Sequence, residues 1–113
     1  MTKQAVNQHI KKWLHGDDRS YRMIFDYYYP KLFPISLKSV RQREENEELV
    51  MNVFVSIWQN REQVSKATDF ESYIFAMLRN QMVDHQRKKV FATEDIEQVL
   101  HFLRSFFIFQ LLS

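Results

Sequence analysis

An all-α, compact bundle of four to five helices is the fold class this sequence predicts, on three observations. Glycine occurs once and proline twice in 113 residues, too little punctuation for a β-rich chain. Methionine, leucine, glutamine, glutamate, lysine and arginine, all good helix formers, are plentiful. Apolar residues make up 45% of the chain and recur at helical spacing. The length implies one domain with a modest core.

The first helix is expected from Lys3 to His15, because Val6, Ile10, Trp13 and Leu14 share one side. Lys11 and Lys12 suit its C-terminal end, and Gly16 is placed to be the residue that ends it. A second helix should start at Asp17 or Asp18, either one a suitable N-cap. Tyr21, Ile24, Phe25, Tyr28, Leu32, Ile35 and Val40 form its broad apolar face. Pro30 and Pro34 fall inside this pattern and each removes a backbone donor, so a bent helix or two shorter ones are expected.

The third helix, Glu44 to Gln59, opens on Glu44, Glu45, Glu47 and Glu48, where the helix dipole favours negative charge. Leu49, Val50, Val53, Phe54, Ile57 and Trp58 make its core stripe. A polar connection, Asn60 to Thr68, follows. The next helix opens on Thr68-Asp-Phe-Glu71, which matches a capping box. It continues through Phe70, Tyr73, Ile74, Met77, Leu78 and Met82 and should end near Lys88 or Lys89. A last helix is expected from Glu94 to Leu111 after Thr93. The domain reading is therefore a helical unit over 1–90 and a linker-type helix with an apolar tail over 91–113.

Composition excludes several classes of function. Without cysteine there is no disulfide framework and no cysteine-based zinc site, which fits a cytoplasmic protein. The N-terminus lacks a signal-peptide core, and Val99 to Leu112, interrupted by His101, Arg104 and Gln110, is too short to span a membrane. His9, His15, His85 and His101 have no partners at metal-ligand spacing, and the Glu-x-x-His spacing of carboxylate di-metal bundles is absent. There is no glycine-rich phosphate loop and no nucleophile elbow. No enzyme, metal or cofactor is expected.

Charge is more informative in its placement than in its total. Between Arg79 and Lys89 four basic residues (Arg79, Arg87, Lys88, Lys89) face one acid, Asp84, although the whole chain nets only +2. Arg41 to Glu48 instead holds two arginines and four glutamates. Two patches of opposite sign on one small domain suggest two partners. Asn80, Asp84, Arg87 and Lys88 recur at helical spacing, so an amide able to read a base edge stands beside cations able to meet phosphate.

These residues also carry a resemblance. Asn46-Glu-Glu-Leu-Val-Met-Asn-Val-Phe-Val-Ser-Ile-Trp58 resembles the Ala-Glu-Asp-Leu-Val-Gln-Glu-Val-Phe-x-x-Leu-Trp signature of bacterial sigma factors of the extracytoplasmic-function group. Phe70-x-x-Tyr73, Arg79-Asn80, Asp84 and Arg87-Lys88 resemble that group's second signature, and Phe25-x-x-Tyr28-Tyr29-Pro30 an upstream one. The likeness covers about Asp17 to Lys89. It implies the compact helical bundle called region two, a transcription-initiation module.

On that resemblance the third helix docks on the clamp helices of the RNA polymerase β′ subunit through Glu47, Glu48, Met51 and Asn52. The helix around Asn80 and the loop before it recognise and open the minus-ten promoter element and capture a flipped non-template base. Asn60, Val64 and Asn80 would line that pocket. Lys66, Arg79, Arg87, Lys88 and Lys89 would meet the DNA backbone. Trp58, Phe54 and Tyr73 are assigned to the core rather than to base stacking. Met51 and Asn52 depart from the family's glutamine and glutamate. The family's second DNA-binding domain, region four, is expected to be absent from this sequence. The alternative is a protein-interaction module, in which the apolar helix over 99–112, with Phe102, Phe106 and Phe109, pairs two copies of the chain or holds an anti-sigma partner.

Overall fold

A computed structural model of the chain describes residues 1–93 and Arg104. Five helices follow in order: α1 (Lys3–Leu14), α2 (Ser20–Leu37), α3 (Arg43–Gln59), α4 (Arg61–Lys66) and α5 (Phe70–Thr93). The expected helix from Glu94 to Leu111 and its apolar tail, Arg104 apart, lie outside the described residues.

α1 begins where the Thr2 hydroxyl accepts from the Ala5 amide at 3.1 Å. It ends in a Schellman turn: Gly16 N–H donates to the Trp13 carbonyl and Asp17 N–H to that of Lys12. Gly16 takes φ +105 there, a left-handed value open to glycine at little cost. In the following turn the Asp17 carboxylate accepts from the Arg19 amide and the Ser20 hydroxyl.

α2 is one continuous helix through both prolines, so of the two expected forms the pair of shorter helices is excluded. The reason lies in rows of residues four apart. Ser20, Ile24, Tyr28, Leu32 and Ser36 form the buried row. Tyr21, Phe25, Tyr29 and Phe33 form an aromatic row beside it, Phe25 to Tyr29 at 5.0 Å and Tyr29 to Phe33 at 5.7 Å between ring centres. Pro30 and Pro34 share an exposed row with Asp26. Each proline frees the carbonyl four residues before it, and those of Asp26 and Pro30 belong to exposed residues that water can reach. Donor loss on the wet face leaves the packing face intact.

The core gathers where α3 packs against both α2 and α5. Val50, Val53 and Ile57 are fully buried, and Leu49 and Phe54 nearly so. α1 covers α2, and α4 touches α1 and α3. Asn46, fully buried at the start of α3, donates from its side-chain amide to the Phe33 carbonyl at 3.0 Å and so ties the last turns of α2 to α3. α5 begins at Phe70 and runs to Thr93, past the expected end at Lys88 or Lys89 and past residue 90.

Two consequences for stability can be measured by urea or thermal unfolding. Asn46→Ala removes one hydrogen bond and is expected to cost about 1 kcal/mol. Asn46→Asp places a carboxylate against a carbonyl in the core and is expected to cost roughly 3 kcal/mol; equal costs would refute the inter-helix role of the amide. The Tyr28 hydroxyl is buried with no hydrogen-bond partner among the described residues, and burial holds its pKa above the ordinary 10.0. Tyr28→Phe removes this orphan group, so unfolding is expected to stay unchanged or shift toward greater stability.

Candidate nucleic-acid interface

The stretch expected as a polar connection contains α4. Asn60 closes α3 and opens α4: its side-chain amide donates to the Ser56 carbonyl at 2.7 Å, and its own carbonyl accepts from the Val64 amide at 3.0 Å. Val64, expected to line the pocket, is 3% exposed, and its side chain anchors α4 to the core. Lys66 is exposed and stands 3.8 Å from Glu62 one turn earlier. Arg61 is the second anchor. Its guanidinium lies over the Trp13 ring at 4.7 Å and the Trp58 ring at 4.8 Å, and it reaches the Asp18 carboxylate at 2.6 Å.

Ala67 follows in an extended conformation, and α5 starts at Phe70, directly after Asp69. The cap is Asp69, one residue later than the expected Thr68 box. Its carboxylate accepts from the Ser72 amide at 3.3 Å and the Ser72 hydroxyl at 2.7 Å. These bonds, the hydroxyl first, hold its pKa below the ordinary 3.8. Glu71 is taken by Lys3 of α1 at 2.7 Å, which fixes the first turn of α5 across the bundle.

The basic residues of α5 do not form a single stripe. At about 100° per residue, Asn80 and Arg87 lie within about 20° of each other, while Arg79 and Lys88 flank them and Lys89 faces the opposite side. Asn80, Arg87, Lys88 and Lys89 are exposed and Arg79 is half-buried. Arg79 lines a surface groove with Glu71, Ser72 and Phe75. Phe75, half-buried, is a ring that the sequence reading passed over; its place four residues before Arg79 was the available signal.

Lys88 lines another groove, between α3 and α5, with Glu45, Glu48, Leu49, Asn52, Gln81, Asp84 and His85. His85 and Glu45 close one end of it at 3.1 Å. Glu48 and Asn52, expected to serve polymerase, thus share a groove with Lys88, expected to serve DNA. Glu47 turns elsewhere and pairs with Arg43 at 3.4 Å. Met51, 42% exposed, belongs to an apolar groove between α2 and α3 with Tyr21, Phe25, Phe54, Val55 and Trp58. Phe54 is buried and Tyr73 half-buried, but Trp58 is 39% exposed and corrects its assignment to the core. Trp58 and Val55 are residues of this groove that the reading of α3 missed; their spacing from Met51, four and then three residues, marks them. Among the described residues no group of three or more histidines and acids is arranged to hold a metal ion, and no helix is long and apolar enough to cross a membrane.

A family model described as Sigma-70 region 2 matches residues 24–91, more than half of the chain. No curated protein and no solved structure shows a match.

The cap of α5 can be tested by pH. Because Asp69 titrates lower in the folded protein than its ordinary 3.8, its charge contributes stability above that value and loses it as pH falls through the folded value. Asp69→Asn keeps a capping acceptor but no charge. Wild type is expected to melt higher than Asp69→Asn at neutral pH, with the gap closing as pH falls below the ordinary carboxylate value. A gap that survives acid, or none at neutral pH, contradicts the assignment.

Proposed function

This chain belongs to the sigma-70 region 2 family and so has a sigma factor's role in RNA polymerase binding and promoter recognition, and we propose that it opens the minus-ten element with α4, α5 and the turn between them. The observation that carries this reading is the exposed face shared by Asn80 and Arg87, flanked by Arg79 and Lys88, on the helix directly after the α4 turn.

In this reading Asn80 reads a base edge with its donor and acceptor. Phe75 beside Arg79 supplies the ring on which an unstacked base rests. Asn60 contributes its side-chain oxygen, while its side-chain N–H donates to the Ser56 carbonyl and caps α3. Lys66, Arg79, Arg87, Lys88 and Lys89 meet phosphates. Val64 supports the turn from beneath rather than touching DNA. Flipping a base costs a few kcal/mol of stacking, which the ring and the amide together have to offset.

The polymerase side falls on α3. Met51, Val55 and Trp58 offer the β′ clamp helices an apolar surface, with Glu48 and Asn52 at its polar margin. The domain acts without catalysis of its own, and its partners place it in the cytoplasm of a bacterium, in the extracytoplasmic-function group. A second reading, a protein-interaction module that does not open promoters, is favoured by the same apolar groove, which suits an anti-sigma partner equally well. Pairing of two copies through residues 99–112 rests on a segment outside the described residues.

Titration of fluorescent single-stranded minus-ten DNA at several salt concentrations separates these readings. Arg87→Ala with Lys88→Ala is expected to weaken binding and to flatten the slope of log affinity against log salt by about 0.7 for each lost phosphate contact. Unchanged affinity and slope would remove α5 from the DNA contact. Retained polymerase or anti-sigma binding by a wild-type chain with no DNA affinity would favour the second reading.

A further inference from the structure

α4 is six residues long, too short to hold its shape by its own hydrogen bonds. It buries one side chain, Val64. The remaining restraint visible on it is Arg61, which contacts three separate parts of the bundle: Trp13 on α1, Asp18 in the turn after α1, and Trp58 on α3. Trp13 is fully buried and stands 6.1 Å from Trp58, ring centre to ring centre. Tyr21 braces both rings, at 4.8 Å from Trp13 and 5.0 Å from Trp58. The two indoles therefore present a braced surface, and Arg61 is the residue of α4 that lies on it.

The contact is specific to arginine. A planar guanidinium can lie on two rings while its free edge meets a carboxylate, whereas an ammonium is a point charge that satisfies Asp18 alone. Asn60, immediately before Arg61, and the turn at 67–69, immediately after α4, cannot shift independently of a helix held this way. We propose that Arg61 is a positioning residue for promoter reading: it clamps α4 onto Trp13, Trp58 and Asp18 and so sets where Asn60 and the 67–69 turn meet the displaced strand. This inference rests on the promoter-opening reading above for its function, though not for its geometry.

Hydrogen exchange on the full chain tests the geometry, and binding of single-stranded minus-ten DNA tests the function. In Arg61→Ala the amides of α4 are expected to exchange about tenfold faster, while those of α1, α3 and α5 keep their protection. DNA affinity is expected to fall severalfold. Arg61→Lys, which keeps the charge for Asp18 but not the stacking plane, is expected to restore less than half of the lost protection. Unaltered α4 protection in Arg61→Ala, or full rescue by lysine, overturns the clamp. Faster α4 exchange with undiminished DNA affinity overturns the positioning role and leaves the promoter reading standing, provided that Arg87→Ala with Lys88→Ala still weakens binding. If wild type itself fails to bind this DNA, the promoter reading falls and the positioning role with it, while exchange still decides the clamp.

Discussion

One stripe of α3 has to satisfy two neighbours at once, and the rest of the bundle follows from that. Leu49, Val50, Val53, Phe54 and Ile57 are packed between α2 and α5. The stripe is too wide for one partner, and neither α2 nor α5 closes a core without it. What remains of α3 is two outward margins on opposite sides of the stripe. One carries Glu45, Glu48 and Asn52 toward α5, and the other carries Met51, Val55 and Trp58 toward α2. The polar and apolar surfaces of α3 are thus leftovers of its packing, and they meet on the outward side of the helix.

α2 meets the same demand by sorting chemistry into rows. Its buried row fills the centre, its aromatic row reaches Phe54 of α3, with Phe25 at 4.8 Å, and its prolines occupy the wet side. Tyr21 extends the aromatic row to the far end of α3, where its hydroxyl donates to the Phe54 carbonyl. Burial raises the Tyr21 pKa well above the usual phenol range, and the nearby Arg61 charge opposes that only in part. The phenol therefore remains a donor to that carbonyl throughout the neutral range. Asn46 closes the opposite end. The contact between α2 and α3 is hydrogen-bonded at both ends and aromatic between them, which holds the margins of α3 in register with α2.

Much of this was legible in the residues and some was not. Helical periodicity identifies α1, α2, α3 and α5, because each buries a repeating apolar row that a single sequence displays. That Pro30 and Pro34 do not divide α2 in two was not legible, because the cost of a proline depends on which face loses its donor, and that face is known only once the buried row is chosen. α4 escapes periodicity altogether: a six-residue helix with one buried valine has no repeat, and its other anchor, Arg61, finds its aromatic partners 48 and 3 residues away. Val64, expected from the resemblance at the pocket, is an anchor of α4, and Trp58, expected in the core, is partly surface. Charge patches are legible as totals but not as faces. The family match over 24–91 supports the domain as a whole, while the placement of Lys88 beside Glu48 and Asn52 shows how little a patch in sequence says about a patch in space.

The distribution of charge around α5 bears on how such a domain can read DNA at all. Arg79, Arg87, Lys88 and Lys89 together face most of the circumference of the helix end. A cationic ring of this kind attracts a phosphate backbone from many directions, and phosphate contacts carry no sequence information of their own. Affinity without orientation is the natural result. On the proposed reading, orientation has to come from groups whose positions are fixed by the bundle, and those are few. Asp69 fixes the first turn of α5 through Ser72, Lys3 fixes it again through Glu71, and Val64 and Arg61 fix α4. All four restraints converge on the same short segment, from Asn60 to Ser72. On the proposed reading, their concentration at this turn, rather than the charge that first draws attention to α5, is what orients the strand for capture of a base.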